Sequence, residues 1–197
     1  MLGTGAPAGR AGAGAYTTRA AALAEAFPDA ESVERRNFVL EAKRVARIEE
    51  LARVPLESPL VTVYTARADG HVLGHAIIDV HTVRTQPEAF LIVLGPEGEI
   101  RNLRVLAFYE PEEYRPSPRW LSLFEGATLA QVENLPGRTH GIAGATLSSR
   151  AVNRAVRRAL ALHRVLLARE EGGAEREAPA ADRSAGGAAS PPLGGSQ

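Results

Sequence analysis

The sequence predicts an α+β protein: an antiparallel sheet meander covered by helices, ending in a long C-terminal amphipathic helix. Three observations carry that expectation. Residues 60–109 hold β-branched runs separated by short clusters of turn-forming residues. Apolar residues recur at helical spacing over Ala42–Val54 and again over Leu147–Arg169. The strand runs follow one another directly, which suits a meander with one face packed under helices.

The first helix is expected near residues 18–27. Thr17 or Thr18 can cap its free N–H groups, Leu23 and Phe27 recur at i, i+4, and Pro28 ends the run. A short strand follows over Glu34–Leu40. In Ala42–Val54, Val45, Ile48 and Leu51 form one stripe while arginines and glutamates face water, until Pro55 and Pro59 break the pattern. Leu60–Ala66 and Val72–Val80 are strands joined by Arg67-Ala68-Asp69-Gly70, where Asp-Gly is a strong hairpin signal. Phe90–Leu94 and Ile100–Tyr109 flank a second turn, Gly95-Pro96-Glu97-Gly98. Glu110–Pro118, with three prolines, is a loop; Trp120–Phe124 is one helical turn; Leu135–Ala145 is small and Gly-rich. The last helix packs Val152, Val156, Ala159, Leu160, Val165 and Leu167 inward, and Arg150, Arg154, Arg157, Arg158 and Arg164 line its other face.

Composition bounds the folded part. Of 197 residues, 35 are alanine and ten are aromatic. Residues 1–15 and 170–197 hold too few large apolar side chains to repay backbone ordering, so they read as a flexible N-terminus and a disordered tail. Residues 16–169, about 155 in number, are enough for one domain with its own core. Lys+Arg and Asp+Glu balance at 23 each, which argues against a nucleic-acid partner. The absence of cysteine excludes disulfides, thiol nucleophiles and Cys-ligated metals, and fits an exported bacterial protein. No apolar run is long enough for a transmembrane span, and no signal peptide is visible.

The chemistry concentrates in Gly141-Ile142-Ala143-Gly144-Ala145-Thr146-Leu147-Ser148-Ser149-Arg150, a small-residue loop that delivers hydroxyls to a helix N-terminus. Unpaired N–H groups and the positive end of the helix dipole favour an anion there, phosphate above all. Gly144 and Ala145 permit close approach, Thr146, Ser148 and Ser149 can donate to phosphate oxygens, and Arg150 adds charge. An ordinary helix cap would use the same residue types. His71 and His75 would stand about 13 Å apart at roughly 3.3 Å per residue, too far to share a metal. With His81 and His140 they read as surface or hydrogen-bonded structural histidines, lone haem or metal ligation being the minor alternative for His81 and His140. No nucleophile elbow, Walker loop, dinucleotide fingerprint or paired catalytic acid and base is present, so no catalytic or metal-binding residue is assigned.

Gly144-Ala145-Thr146-Leu147-Ser148-Ser149, followed by Ala151-Val152 and Ala155-Val156, resembles the signature of the FMN-binding domain family. That family includes the flavinylated extracytoplasmic subunits of sodium-translocating NADH:quinone reductases and related ion-pumping ferredoxin oxidoreductases. Its pattern is Asp-x-x-Ser/Thr-Gly-Ala-Thr-x-Ser/Thr, and a flavin transferase joins FMN to the threonine through a phosphoester. Three further stretches agree: Glu110-Pro111 at the position of a Glu-Thr-Pro-Gly-type loop, Trp120-Leu121-x-x-Phe124-x-Gly126, and Ala26-Phe27-Pro28-Asp29-Ala30. The likeness spans roughly residues 20–168. It departs at His140, where the family has its Asp, at Ala143, where it has Ser or Thr, and after Pro111, where the glycines are missing.

The resemblance implies an FMN electron carrier rather than a stand-alone enzyme. Flavin would be held at Thr146 by Gly144, Ala145, Leu147, Ser148 and Ser149. Phe108, Tyr109, Tyr114, Trp120 and Phe124 would border the ring, with Glu110 near its polar edge; core packing is the competing reading for Phe108 and Phe124. It further implies an extracytoplasmic or periplasmic, membrane-associated location beside a membrane redox complex or cytochrome. The departures motivate an alternative: a non-flavinylated binding or structural module of the same fold that holds FMN, haem or another anion loosely. A flavin-dependent reductase of a small molecule is a third reading, which no acid/base pair supports.

Overall fold

The computed structural model describes residues 14–15, 17–83, 86–134 and 146–168. The fold is α+β. A six-stranded antiparallel sheet has the order β1-β6-β5-β4-β3-β2, built from β1 (Gly14–Ala15), β2 (Ser32–Val39), β3 (Leu60–Ala68), β4 (His71–Val83), β5 (Gln86–Leu94) and β6 (Ile100–Phe108). From β2 to β6 it is the expected meander, extended by one strand because Ser32–Val39 pairs along the whole of β3. Gly14 and Ala15 add a short edge against Phe108 and Ala107.

Turn chemistry sets the register. Asp69 and Gly70 both take positive φ, 50° and 78°, the geometry a two-residue hairpin with right-twisted strands requires. The next connection is longer, and Gly98 (φ 86°) closes it by donating its N–H to the Gly95 carbonyl at 3.0 Å.

Helices cover both faces, not one. α1 (Arg19–Ala26), capped by the Thr18 side chain, packs Ala22, Leu23 and the following Phe27 against Tyr64, Ala66, Ala76, Leu91, Val93 and Leu106. Across the sheet, α2 (Ala42–Ala52) and α4 (Thr146–Leu166) enclose the larger core with Val63, Ile77, Phe90, Ile92 and Leu94. Strand β5 therefore buries successive residues on opposite faces, Leu91 and Val93 on one and Phe90, Ile92 and Leu94 on the other. A strand buried on both faces reads as a continuous apolar run, so periodicity alone does not report the second helical layer.

Two boundaries differ from expectation for local reasons. α2 stops at Ala52 because Arg53 adopts the left-handed conformation (φ 56°) and its N–H closes on the Glu49 carbonyl. Strand β5 begins at Gln86 rather than Phe90, because β4 runs on to Val83 and pairs His81 with Glu88. After β6 come one turn at Glu112–Tyr114, the four-residue helix α3 (Pro118–Leu121) capped by Ser117, and short turns at Ser122–Phe124 and Leu129–Asn134. None of the described helices is long and apolar enough to cross a membrane.

Candidate functional site

Thr146 is the first residue of α4, so the Gly-Ala-Thr sequence leads directly into the longest helix of the fold. Gly144, Ala145, His140 and Ala143 lie outside the described residues. On the first turn, Leu147 is exposed, whereas Ser148 and Ser149 are buried in the domain interior. A 21-residue helix presents the full positive end of its dipole at this terminus.

The remaining predicted site residues lie in the segment after β6. Glu110 is buried, and its Oε1 has no hydrogen-bond partner among the described residues. Trp120 is half-buried and stands edge-on to Phe124, ring centroids 5.3 Å apart. Phe108 and Phe124 are fully buried, as core packing requires, while Tyr109 is exposed and Tyr114 half-buried.

Beside the first three turns of α4 lies a cavity of about 180 Å³, lined by Glu57, His81, Thr82, Val83, Leu147, Arg150, Ala151, Arg154 and Arg158. Leu147 thus joins the end of β4 in one wall, while Glu110 and Trp120 do not line this cavity. Arg150 and Arg154 are exposed beside it, on successive turns.

Behind the cavity is a charged cluster that takes in an arginine which the helical periodicity assigns to the solvent face. Arg157 and Arg158 are buried, not water-facing. Arg157 turns back to Asn153 Oδ1 at 2.7 Å. Arg158 donates from Nε and Nη2 to the two carboxylate oxygens of Asp79, at 2.7 Å each, and from Nη1 to Glu57 at 3.2 Å. Asp79 also accepts from His81 Nδ1 at 2.8 Å. The other ring nitrogen, Nε2, lies 3.6 Å from Glu88 Oε2, an ion-pair distance rather than a hydrogen bond. Glu88 is wholly buried, and neither of its carboxylate oxygens has a hydrogen-bond partner among the described residues.

Burial alone would raise the Asp79 carboxyl, but hydrogen bonds from His81 and Arg158, with their charges, hold it below its ordinary value. Burial works against the His81 imidazolium too, yet its bond to Asp79 and the Glu88 carboxylate outweigh that and push it up to about 9. One signal in the sequence points here: Asp79 and His81, two residues apart in a strand, share a face with Ile77, which belongs to the apolar core.

The geometry thus brings a helix N-terminus, a cationic cavity and an imidazolium held by carboxylates to one end of the sheet. Residues 86–161 match the family model of the FMN-binding domain. The match runs from the start of β5 well into α4, so it takes in Glu88, Glu110, Trp120 and the Gly-Ala-Thr sequence. It gives this stretch the function of flavin binding, with FMN as its cofactor. No curated protein matches the chain.

The residues present fit FMN. The flavin phosphate is an anion, which a helix N-terminus flanked by Arg150 and Arg154 favours. The orphaned Glu110 Oε1 is an acceptor in need of an N–H donor, and a flavin ring carries one.

Proposed function

We propose that this domain carries electrons, with FMN joined by its phosphate to the Thr146 hydroxyl. The observation that carries this reading is the family match over 86–161 together with Gly144-Ala145-Thr146 at the opening of α4. Attachment needs only a reachable hydroxyl here, since a separate flavin transferase would perform the phosphoryl transfer. Gly144 and Ala145, as small residue types, would permit close approach of the phosphate, and Leu147 is exposed on the first turn beside it. Ser148 and Ser149, buried on the same first turn, are the neighbouring hydroxyls that would donate toward the phosphate. Trp120 borders the ring and Glu110 accepts from its polar edge. Bound FMN supplies one- and two-electron chemistry, and the protein orients it and tunes its potential.

In this reading the domain works outside the cytoplasm, against a membrane redox complex or a cytochrome, and exchanges electrons with partners rather than converting a substrate of its own. A second reading rests on His140 and Ala143, which stand where the family pattern has Asp and Ser or Thr. If the transferase requires those residues, the domain holds FMN or another anion without a covalent bond. Thr146→Ala distinguishes the two. The proposed function predicts that flavin stays on acid-precipitated wild type and is lost entirely from the variant. Equal release of flavin from both proteins would establish the non-covalent reading.

A further inference from the structure

A groove of about 750 Å³ lies between the N-terminal half of α2 and the last turn of α4. Lys43, Arg44, Arg47 and Arg164 line it against a single carboxylate, Glu41, while the half-buried Phe38 and Leu51 give it apolar ground. All four cations are exposed. Arg47 pairs with Glu50 of its own helix at 2.6 Å, whereas Lys43, Arg44 and Arg164 have no carboxylate partner among the described residues.

This charge does not serve the helix that carries most of it. Lys43 and Arg44 stand in the first turn of α2, where the positive end of the helix dipole favours carboxylates, and no acidic residue stands there. The dipole therefore adds to the positive potential of the groove instead of offsetting it. Like charges gathered around one groove repel one another, and an anion placed among them relieves that repulsion. The groove is also separate from the candidate flavin site. Arg164 follows Thr146 by eighteen residues of one helix, about 27 Å at roughly 1.5 Å per residue.

A source of anions begins where the groove ends. Ala168, the last described residue, lines it. Beyond come Arg169 and then residues 170–177, Glu-Glu-Gly-Gly-Ala-Glu-Arg-Glu, with four carboxylates, one arginine and no large apolar side chain. Charge is what such a stretch offers a protein surface. Its eight residues reach at most about 28 Å when extended, and Glu170 stands two positions from the groove wall. Exposed ion pairs are individually weak. A segment tethered beside its site binds at an effective concentration of millimolar order, so several weak pairs suffice.

We propose that residues 170–177 dock into this groove, their glutamates against Lys43, Arg44, Arg47 and Arg164, and so close it to other anionic partners. The contact does not depend on the flavin reading, since none of its residues belongs to that site.

The test uses the full chain without flavin. Because the sequence has no cysteine, Ala174→Cys carries a single nitroxide label, and ¹⁵N NMR spectra report which backbone amides it approaches. At low ionic strength the label should broaden the amide signals of Lys43, Arg44 and Arg47. The signals should recover in about 1 M salt, where the Debye length is about 3 Å. They should recover as well in Lys43→Glu with Arg44→Glu, whose acidic first turn suits the α2 dipole and so keeps the fold. Adding Glu170→Lys, Glu171→Lys and Glu175→Lys to that variant should restore the broadening.

Broadening of equal depth in wild type and in the Lys43→Glu, Arg44→Glu variant would show proximity without charge recognition and overturn the proposal. A label that leaves all three amides untouched would overturn it too. Vesicles of phosphatidylglycerol added to that sample would then show, by shifting the Lys43 and Arg44 signals, that the groove belongs to an anionic lipid surface instead.

Discussion

Arg158 on α4 and Asp79 on β4 form a two-pronged ion pair, Nε to Oδ2 and Nη2 to Oδ1, both at 2.7 Å, although 79 residues separate them in the chain. This pairing fixes the long helix to the central sheet beside its own N-terminal cavity, so the same contact that stabilises the fold also places the site.

Removing one partner of a buried pair leaves the other charge stranded. Arg158→Met should therefore destabilise the domain by about 3–5 kcal/mol. The double variant Arg158→Met with Asp79→Leu should recover part of that loss, since two apolar residues leave no charge behind. Urea unfolding of the three proteins checks this, and equal stability of Arg158→Met and wild type would contradict a buried, committed arginine.

Stability should fall as pH rises from about 6.5 to about 9, for a reason specific to His81. Its folded value is raised from 6.5 to about 9. Below 6.5 the imidazolium exists in both folded and unfolded chains and its stabilisation is fully present. Above 6.5 the unfolded chain loses its proton first, and the advantage is gone once the pH passes about 9. Asp79 acts at the other end: its lowered value makes its contribution vanish as pH falls through and below the ordinary carboxylate range. Denaturant unfolding across the alkaline window should show this slope in wild type and a flat line in His81→Gln; parallel slopes would refute the assignment.

Gly98 and Gly70 both have positive φ, but their surroundings differ. A Cβ at Gly70 meets nothing, whereas one at Gly98 would strike the His163 ring, whose Nε2–H donates to the Pro96 carbonyl at 3.0 Å. Gly70→Ala should cost only the backbone penalty of about 1–2 kcal/mol. Gly98→Ala should cost about 1–3 kcal/mol more, from crowding of a packed interior. Thermal unfolding of the two variants side by side measures the difference.

Much of this architecture is legible in the residues themselves. Asp69-Gly70 announces its hairpin, the 60–109 runs give their strands, and Thr18 and Pro28 bracket α1. What escapes is whatever depends on partners distant in sequence. Arg157 and Arg158 look water-facing on a helical wheel because Asp79 is invisible from α4. Pro87 and Glu88 look like the end of a loop because nothing local says that Glu88 will be buried opposite His81. At the candidate site, the Gly-Ala-Thr sequence and the start of α4 are readable, while the β4 wall of the cavity is not. Asp79-x-His81 on a core-facing strand is the one local clue to it.

The most direct test of the account is the intact mass of the protein produced alongside a flavin transferase. Covalent attachment predicts a mass increase of one FMN less one water, with the added mass on the peptide containing Thr146. An unmodified chain that also takes up no free FMN would contradict flavin binding by this domain.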